Sequence, residues 1–326
     1  MNILGIETSC DETSAAIVKD GKDMLSCETS SSLRFHAKYG GIVPEIASRM
    51  QLETISYVVD AAIKESGLEL KDLNAVCVTD KPGLLGSLLV GISFAKAMSF
   101  SLDLPLLGVN HLYSHIYAPF LNNRKVKFPF IALIVSGGHT SLFYLKDFNQ
   151  IEPLGATLDD ACGEAFDKVA KILGLGYPGG PQIENIAKRG NPKKFSFACS
   201  NTKNELDFSF SGIKTAVLYL VQRIPSSVLR TRKADIAASF QQVVFDTLIK
   251  KSFLACKMKK VKKLVIGGGV VANNRLRESF SLQAKEKDLE VLFPSRELSM
   301  DNAAMVAGLG YHLLKKGQRS DLTLTA

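Results

Sequence analysis

The chain contains no tryptophan and has few histidines and cysteines, five and six respectively. The cysteines form no Cys-x-x-Cys pair and lie mostly in apolar runs, which favours reduced thiols in a cytosolic protein over a disulfide framework. The N-terminus passes straight into the strand-like NILGIET and lacks the basic start and long apolar stretch of a signal peptide. No apolar run approaches the ~20 residues of a membrane helix, so we expect a cytoplasmic protein that contacts no membrane.

What the chain does contain is an ordinary globular composition with an excess of positive charge. Its 326 residues are 46% hydrophobic and 22% charged, which supplies ample material for a core. The length predicts two domains or lobes. The formal net charge is +8 and the pI is about 9.1. A basic balance of this kind favours a polyanionic partner such as RNA, DNA or an acidic protein.

The middle of the chain, residues 188–235, is more polar and more basic than the rest. Its cationic residues include Lys193, Lys194, Lys203, Arg223, Arg230, Arg232 and Lys233. This composition is typical of an exposed helical insertion with a solvated surface, and it is also typical of a face that binds nucleic acid. The charge pattern by itself leaves both interpretations open.

A pattern of strands and glycine turns recurs in the two halves of the chain. Residues 1–30 read as three strands separated by turns, and FPFIALIVSGGHTSLFYL (128–145) reads as strand, glycine turn and strand. KKLVIGGGVVANNRLRESFSLQAK (262–285) reads as strand, glycine turn and helix. Glycine in such turns lets backbone N–H groups approach an anion closely. Together these units indicate the two-lobed architecture of actin-like ATPases.

The segment NHLYSHIYAPF (110–120) places His111 and His115 four residues apart, on one face of a helix and close enough to share a cation. Imidazole is a ligand for Zn, Fe, Ni or Mn. The segment does not read His-Glu-x-x-His, so it lacks the general base of a zinc protease. Two histidines leave a metal site incomplete, and Asp301 is a candidate third ligand. The same residues are also compatible with ordinary surface or core histidines and with an aspartate that caps the last helix.

Three glycine-rich segments in the second half are candidate nucleotide-binding loops. SGGHT (136–140) is typical of a phosphate-binding turn or of a plain hairpin. GEAFDKVAKILGLGYPGGPQIE (163–184) carries Asp167 on a helix before a stiffened turn, where it either contacts a ligand or belongs to a solvated face. GGGVVANNRLRE (267–278) either seats an adenosine or ribose through Asn273 or its neighbour, or forms a tight turn in which they cap the helix.

Seven segments form a combination that is more specific than any of them alone. They are ETSCDETSAAIV (7–18), YGGIVPEIASR (39–49), NHLYSHIYAPF (110–120), SGGHTSL (136–142), GEAFDKVAKILGLGYPGGP (163–181), DFSFSGIKTAV (207–217) and GGGVVANNRLR (267–277). In this order, over nearly the whole chain, they resemble the tRNA N6-adenosine threonylcarbamoyltransferase (TsaD) family. The resemblance implies an α/β fold of the actin/Hsp70-like (ASKHA) type, with two lobes of duplicated mixed sheets and helices on both faces.

The resemblance also implies an activity and its partners. The family transfers a threonylcarbamoyl group from threonylcarbamoyl-AMP to N6 of adenosine 37 in tRNAs that read ANN codons, and releases AMP. It implies one divalent metal ion per subunit, with Fe²⁺ favoured and Zn²⁺ as the alternative, held by residues that match His111, His115 and Asp301. It implies the anticodon arm of tRNA, a TsaB-like paralogue and a TsaE-like ATPase as partners, and no membrane.

The substrate-binding positions of the family carry over residue by residue. They match Ile134, Val135, Ser136, Gly137, Gly138, Asp167, Gly180, Glu184 and Asn273. Glu184 stands where many members have aspartate, so it keeps the carboxylate and adds a methylene. Further departures are Lys81 in TDKPGL, Gln51 where many members have histidine, and Tyr113-Ser114 between the two histidines. None of them changes a metal ligand.

Threonylcarbamoyl-AMP is an activated mixed anhydride, so the enzyme has to bind it, hold the adenine against it and stabilise charge in the transition state. We expect the metal to act as a Lewis acid and template. Asp11 or Glu12 is the candidate base for the proton of the exocyclic amine. Two alternatives are an ASKHA-fold ATPase or phosphotransferase, which leaves the histidine pair unexplained, and a non-catalytic scaffold paralogue, which would tend to lack the histidines.

The lobe boundary is predicted near Gly108, where the first β-rich unit gives way to the second. The N-terminal lobe then comprises residues 1–108 and is completed by the C-terminal helix at about residues 302–318. The C-terminal lobe comprises residues 109–300 and is expected to hold the metal ligands, the nucleotide-binding loops and a helical insertion.

Overall fold

The apolar runs of the sequence form the strands of two five-stranded sheets in a computed structural model, which describes residues 1–121 and 127–326. The strands are β1 (Asn2–Glu7), β2 (Glu12–Lys19), β3 (Asp23–Ser31), β4 (Ala75–Lys81), β5 (Leu106–Asn110), β6 (Phe130–Val135), β7 (Thr140–Asp147), β8 (Gln150–Ala156), β9 (Lys263–Gly267) and β10 (Glu290–Leu292). The helices are α1 (Leu33–His36), α2 (Pro44–Ser66), α3 (Leu85–Leu102), α4 (His111–Tyr117), α5 (Cys162–Leu173), α6 (Gly179–Ala187), α7 (Ser211–Arg223), α8 (Ser226–Lys259), α9 (Asn274–Glu286) and α10 (Ala303–Lys315).

The two sheets have the same topology. Their strand orders are β3-β2-β1-β4-β5 and β10-β9-β6-β7-β8. In each sheet the first strand is central, the next two strands in sequence continue on one side as antiparallel neighbours, and the last two lie parallel on the other side. This duplication of a mixed sheet with covering helices confirms the predicted α/β class.

The chain divides into two units. Unit 1 comprises Met1–Lys127 and Pro294–Ala326, and unit 2 comprises Phe128–Phe293. The predicted boundary at residue 108 differs from this division, because α4 packs against β5 and α10 and therefore belongs to unit 1. The two histidines of α4 consequently lie in unit 1, whereas we expected them in the second lobe with the nucleotide-binding loops.

Helices cover both faces of the unit 1 sheet. On one face α2 and α3 bury Ile55 and Ile92 against Leu4 and other strand residues. On the other face α10 packs on β1 so closely that a Cβ added at Gly5 would lie 2.3 Å from the Ala303 carbonyl oxygen. A larger residue at position 5 would therefore force the helix away from the strand.

The helix α3 is long and apolar enough to cross a membrane by length and composition, with a mean hydropathy of 1.5 over 18 residues. This corrects the expectation that no apolar run approaches that length. One third of the helix is buried (33%), and Leu88, Ile92 and Ala95 pack in the core of unit 1. A core helix of a globular unit has the same composition, so the prediction that the protein contacts no membrane stays a prediction.

The core of unit 2 lies between its sheet and the helices α5 to α8. The longest helix, α8, spans 34 residues and buries Phe240 and Phe245, whose rings contact Phe166 of α5. The segment between α6 and α7 has no regular structure among its residues 191–207. In the sheet of unit 2, β6 and β9 are parallel neighbours, and β6 leads into β7 whereas β9 leads towards α9.

Candidate functional site

The candidate metal ligands converge in unit 1. Asn110 ends β5 and caps α4 by accepting the Tyr113 amide N–H at 3.2 Å, so the helix starts directly at the sheet edge. His111 and His115 are buried, with ring centroids 4.6 Å apart. The Oδ1 atom of Asp301 lies 2.9 Å from Nε2 of His115 and 3.7 Å from Nε2 of His111. All three ligand atoms lie within 4.8 Å of one another, as a shared cation requires.

Asp301 is not the cap of the last helix. Asn302 takes that position, because its Oδ1 accepts the Met305 amide N–H at 3.0 Å and α10 begins at Ala303. The interpretation of Asp301 as a helix N-cap is therefore wrong. Its carboxylate stays directed at the two histidines.

Sequence analysis missed the group that holds His111 in place, which is Glu7 at the end of β1. Its Oε2 lies 3.0 Å from Nδ1 of His111 and accepts the hydroxyl of Thr79 at 2.5 Å. Its Oε1 accepts the Ser9 amide N–H at 2.6 Å. Glu7 is fully buried, and a carboxylate inside an otherwise apolar strand was the available signal in the sequence.

The charges of this cluster suit a cation. Burial raises the pKa of Glu7, but the neighbouring His111 outweighs it and the net pKa lies below the ordinary value. Burial lowers the pKa of His111, but the carboxylates of Glu7 and Asp301 outweigh it and raise that pKa to about 9. This pKa favours a protonated His111 when no ion is bound, so a cation at Nε2 would displace that proton while Nδ1 keeps its contact with Glu7. Two imidazole nitrogens and one carboxylate are also ligands that Fe²⁺ and Zn²⁺ accept, so the donor set fits such an ion.

Of the candidate bases, Asp11 lies in the loop between β1 and β2, and Glu12 is the first residue of β2. Gln51 of α2 holds this loop, because its Nε2 donates to the carbonyl oxygens of Cys10 at 3.0 Å and Glu12 at 2.9 Å. Burial, followed by the charges of Asp301 and Asp11, raises the pKa of Glu12 well above its ordinary value. Gln51, where many family members have histidine, thus supports the loop that carries Asp11.

The other departures act beside the cluster. Lys81 lies at the exposed end of β4, with its Nζ 3.5 Å from the carboxylate of Asp80. Ser114 donates its hydroxyl to the Asn110 carbonyl oxygen at 3.1 Å and so stays within the first turn of α4. The Ser114 contact lies within α4, which carries both histidines, whereas Lys81 lies at the end of β4, and neither residue replaces a candidate ligand.

The substrate-binding loop predicted at residues 134–138 lies in unit 2, at the end of β6. Ile134 and Val135 are buried in the strand. Ser136 closes the turn, because its amide donates to the His139 carbonyl at 2.8 Å and its hydroxyl accepts the His139 amide at 3.1 Å. At Gly137 and Gly138 no atom of the described chain lies within 4 Å of an added Cβ. Both glycines are exposed, and the turn packs on the start of α5, where the Gly137 carbonyl oxygen accepts the Glu164 amide N–H at 3.1 Å.

Asp167 holds the glycine turn that leads into α6. Its Oδ1 accepts the Gly179 amide N–H at 2.7 Å. Burial raises the pKa of Asp167, and the amide groups of Gly179 and Gly180 lower it by less. Asp167 is thus half-buried against the loop and does not belong to a solvated face.

Glu184 and Asn273 meet at the start of α9. Glu184 accepts the Asn274 amide N–H at 2.9 Å, and Asn273 caps the helix by accepting the Leu276 amide at 3.1 Å. The Nδ2 of Asn273 donates to Oε1 of Gln241 on α8 at 3.2 Å, a contact that sequence analysis missed. The structure confirms the interpretation of Asn273 as the N-cap of α9. Its role as a substrate contact stays a prediction, as do those of Asp167, Gly180 and Glu184.

The motif DFSFSGIK has an anchor in Asp159. The carboxylate of Asp159 accepts the hydroxyls of Ser209 at 2.5 Å and Ser211 at 2.7 Å, and the amide of Phe210 at 2.8 Å. Partial burial raises the pKa of Asp159, but these hydrogen bonds outweigh it and the net pKa lies below the usual 3.8. Asp159 therefore fixes the start of α7 through its ionised form.

The chain is similar to one family over most of its length. Residues 23–308 match the family model described as "TsaD: tRNA N6-adenosine threonylcarbamoyltransferase". Proteins of that name from Clostridium kluyveri and Kosmotoga olearia are 48% and 49% identical to this chain. Both alignments cover 100% of this chain, and they cover 96% and 97% of the relatives.

Solved structures share the fold at low identity. Full-length HypF in its phosphate- and nucleotide-bound form aligns with 98% of this chain at a TM-score of 0.64 and 15% identity, and the match covers 47% of the HypF chain. Component A of (R)-2-hydroxyglutaryl-CoA dehydratase from Acidaminococcus fermentans aligns with 98% of this chain at a TM-score of 0.55 and 15% identity, over 100% of its own chain. These likenesses confirm the predicted ASKHA fold.

Replacing Asp159 with alanine should lower the free energy of unfolding by about 1 kcal/mol at neutral pH, because the start of α7 loses its acceptor. The folded pKa lies below the unfolded value of 3.8, so this stabilisation is fully present above that pH and disappears as the pH falls through the folded pKa. Urea unfolding of both proteins at about pH 6 and about pH 3 measures the difference. A difference of equal size at both pH values would contradict the assignment.

Proposed function

The chain belongs to the tRNA N6-adenosine threonylcarbamoyltransferase family, and on that premise we propose how its residues carry out the transfer. The protein is an acyltransferase that forms a bond between a threonylcarbamoyl group and N6 of an adenosine in tRNA. We propose threonylcarbamoyl-AMP as the donor, adenosine 37 of ANN-reading tRNAs as the acceptor, and the cytoplasm as the location. No observation favours the phosphotransferase or the scaffold alternative.

The observation that carries the proposed chemistry is the convergence of His111, His115 and Asp301. These three residues would hold a divalent ion, Fe²⁺ or Zn²⁺, through two Nε2 atoms and one carboxylate oxygen. The bound ion would supply a Lewis acid for a carbonyl oxygen. Glu7 accepts the Nδ1 proton of His111, which leaves the Nε2 lone pair directed at the site.

Proton transfer from the adenine amine needs a base. As N6 bonds to the carbamoyl carbon, the bond to the phosphate oxygen breaks, AMP leaves with the electron pair, and N6 loses a proton. We propose Asp11 or Glu12 as this base; burial and the charges of Asp301 and Asp11 raise the pKa of Glu12 well above its ordinary value, which strengthens its carboxylate as an acceptor and also favours its protonated form at neutral pH. Gln51 donates to the backbone carbonyl oxygens of Cys10 and Glu12. These hydrogen bonds hold the backbone around Asp11 and do not occupy the oxygen atoms of either side-chain carboxylate.

The unit 2 loops are the proposed seat of the adenylate. The open backbone of Gly137 and Gly138 suits phosphate oxygens, because N–H groups without a covering side chain can reach an anion. Asn273 and Glu184 lie together at the start of α9, where amide and carboxylate groups suit the hydrogen-bonding groups of adenosine.

A TsaB-like protein partner needs an apolar surface, and unit 1 exposes one. Leu85, Leu89 and Phe100 recur on one face of α3, and all three are exposed. Leu52 of α2 is also exposed, one turn after Ser48, which meets Gly86 of α3. We name these four residues the α2–α3 patch and propose it as the docking surface, since exposed apolar patches of this kind mark protein interfaces. The TsaE-like ATPase is proposed as the second protein partner.

Replacing His111 with alanine should lower threonylcarbamoyl transfer by about 100-fold or more, because the ion would lose one of its ligands. The assay combines the protein, threonylcarbamoyl-AMP, unmodified ANN-reading tRNA and the candidate partner proteins, and detects the modified nucleoside by mass spectrometry. Glu53→Gln is the control, since Glu53 is an exposed residue of α2 in unit 1 outside the triad. Full activity of His111→Ala would refute the metal assignment, and no product from the wild-type protein with any partner set would refute the donor or the acceptor.

Replacing Glu7 with glutamine should weaken the binding of Zn²⁺ by about 10- to 100-fold. The amide group keeps the shape but replaces one acceptor atom with a donor, which disfavours the tautomer of His111 that has a free Nε2. Competition against a chromogenic zinc chelator at fixed pH measures the affinity independently of catalysis. Glu53→Gln, at an exposed position of α2, is the control and should bind Zn²⁺ like the wild type. Equal affinity of the wild type and Glu7→Gln would rule out the positioning role.

Replacing Leu85 with glutamate should abolish complex formation with a TsaB-like partner, because a charge would then be buried in an apolar contact. Leu282→Glu is a matched control, since both leucines have 65% of their surface exposed and Leu282 lies in unit 2. Size-exclusion chromatography of the mixed proteins gives the result. Loss of the complex in the control, or its survival in Leu85→Glu, would refute the assignment of the α2–α3 patch.

A further inference from the structure

A short segment of unit 1 exposes two aromatic rings, and each ring lies beside a cation. The segment comprises α1 and the 3₁₀ turn Ala37–Tyr39 that follows it. Phe35 is 37% exposed and Tyr39 is 55% exposed. The guanidinium carbon of Arg34 lies 4.7 Å from the centre of the Phe35 ring, and Nζ of Lys38 lies 4.9 Å from the centre of the Tyr39 ring. We name residues 33–39 the aromatic–cationic segment, and Arg34, Phe35, Lys38 and Tyr39 are its exposed cations and rings.

The segment is attached to the loop that carries Asp11, one of the candidate bases. His36 is its buried residue, and its Nδ1 accepts the Val43 amide N–H at 3.2 Å. The other ring nitrogen, Nε2, lies 2.9 Å from the hydroxyl of Ser32 and donates to it, because neutral imidazole has one donor and one acceptor. The Ser32 hydroxyl in turn donates to the Asp11 carbonyl at 2.9 Å. This chain of hydrogen bonds fixes the exposed rings relative to Asp11.

The space beside the segment is open. Gly40 ends the 3₁₀ turn with φ of +71°, a conformation that favours glycine, and Gly41 follows it. At both glycines no atom of the described residues lies within 4 Å of an added Cβ. A group of the size of a methyl side chain would therefore meet no other described residue at either glycine, apart from the chain neighbours.

The chemistry of the segment differs from that of the α2–α3 patch. The patch is mostly aliphatic, as suits a protein partner, whereas the segment alternates cation and ring in the order Arg34, Phe35, Lys38 and Tyr39. Unpaired bases stack on exposed aromatic rings whatever their sequence, and neighbouring cations neutralise the phosphates. Bases in an anticodon loop are unpaired, so the substrate of the proposed reaction presents the matching groups.

We propose that Phe35 and Tyr39 stack unpaired bases of the RNA substrate while Arg34 and Lys38 contact its phosphates. The inference rests on the proposed function, because it assumes an RNA substrate. The attachment of the segment to Asp11 gives the stacking a purpose, since it positions the strand next to the loop that holds this candidate base. Phe35 and Tyr39 are thus positioning residues for the target adenosine.

The test measures RNA affinity separately from transfer. The probe is a fluorescent RNA stem-loop with the sequence of an ANN-reading anticodon arm, titrated with the full-length protein together with its partner proteins. Tyr39→Ala should weaken binding about 10-fold, the order of one lost base–aromatic stack, and Tyr39→Phe should bind like the wild type. Tyr57→Ala is the control, because Tyr57 is a 75% exposed tyrosine of α2 outside both the segment and the basic region 188–235, and it should leave the affinity unchanged.

The proposed contacts of Arg34 and Lys38 with phosphates are tested separately, through the salt dependence of RNA binding. In Arg34→Gln/Lys38→Gln the slope of log affinity against log salt should fall by about 1.4, which corresponds to two phosphate contacts on a single strand. The titration is run between about 50 and 200 mM salt. An unchanged slope would remove the phosphate contacts from the proposal.

Failure of this inference is distinguishable from failure of the proposed function. If the wild type modifies tRNA but Tyr39→Ala and Phe35→Ala bind the stem-loop as tightly as the wild type, the inference is overturned and the function stands. If Tyr39→Ala loses a protein partner with RNA affinity unchanged, the segment is a protein interface and the inference is likewise overturned. If the wild type neither binds nor modifies tRNA, the proposed function and the inference both fail.

Discussion

The arrangement of unit 1 depends on one buried carboxylate. Glu7 is removed from water and would cost several kcal/mol if it were left without partners. Its partners come from three consecutive strand ends of the sheet: the Ser9 amide after β1, the Thr79 hydroxyl on β4, and the ring of His111 after β5. The pairing that makes the burial tolerable therefore also fixes a candidate metal ligand. The hydrogen bonds that stabilise the buried carboxylate also orient the His111 ring.

The duplicated sheet explains where chemical groups collect within each unit. In both sheets the central strand has an antiparallel neighbour on one side and a parallel neighbour on the other. Loops that leave the carboxyl ends of such strands diverge and open a crevice. In unit 1 these ends carry Glu7 and His111, and in unit 2 they carry Ser136 and Gly268. Gly268, with φ of +95°, packs against the backbone of Val135, so the two turns of unit 2 lie in contact.

Much of the fold and of the candidate site could be predicted, because periodic apolar runs and glycine turns are local features of the sequence. The pair His111 and His115 was visible from its spacing, and the structure brings Asp301 to it. Glu7 was not predicted, because nothing local to β1 reveals which distant donors surround its carboxylate. The lobe boundary was placed too early for a similar reason, since the packing of α4 on α10 joins segments far apart in sequence. The sequence also could not decide which residue caps α10, because aspartate and asparagine are both common helix caps. The structure shows that Asn302, and not Asp301, accepts the Met305 amide N–H.

The position of α10 in the sequence has a consequence for biosynthesis. Unit 2 is one continuous stretch, so it can fold while the ribosome is still translating the final segment. Unit 1 cannot, because β1 lacks its covering helix and the histidines lack Asp301 until residues 301–315 have emerged. The three candidate ligands can therefore come together only after residues 301–315 have been translated. A nascent chain that stops before Asp301 keeps the two histidines without the carboxylate that faces them.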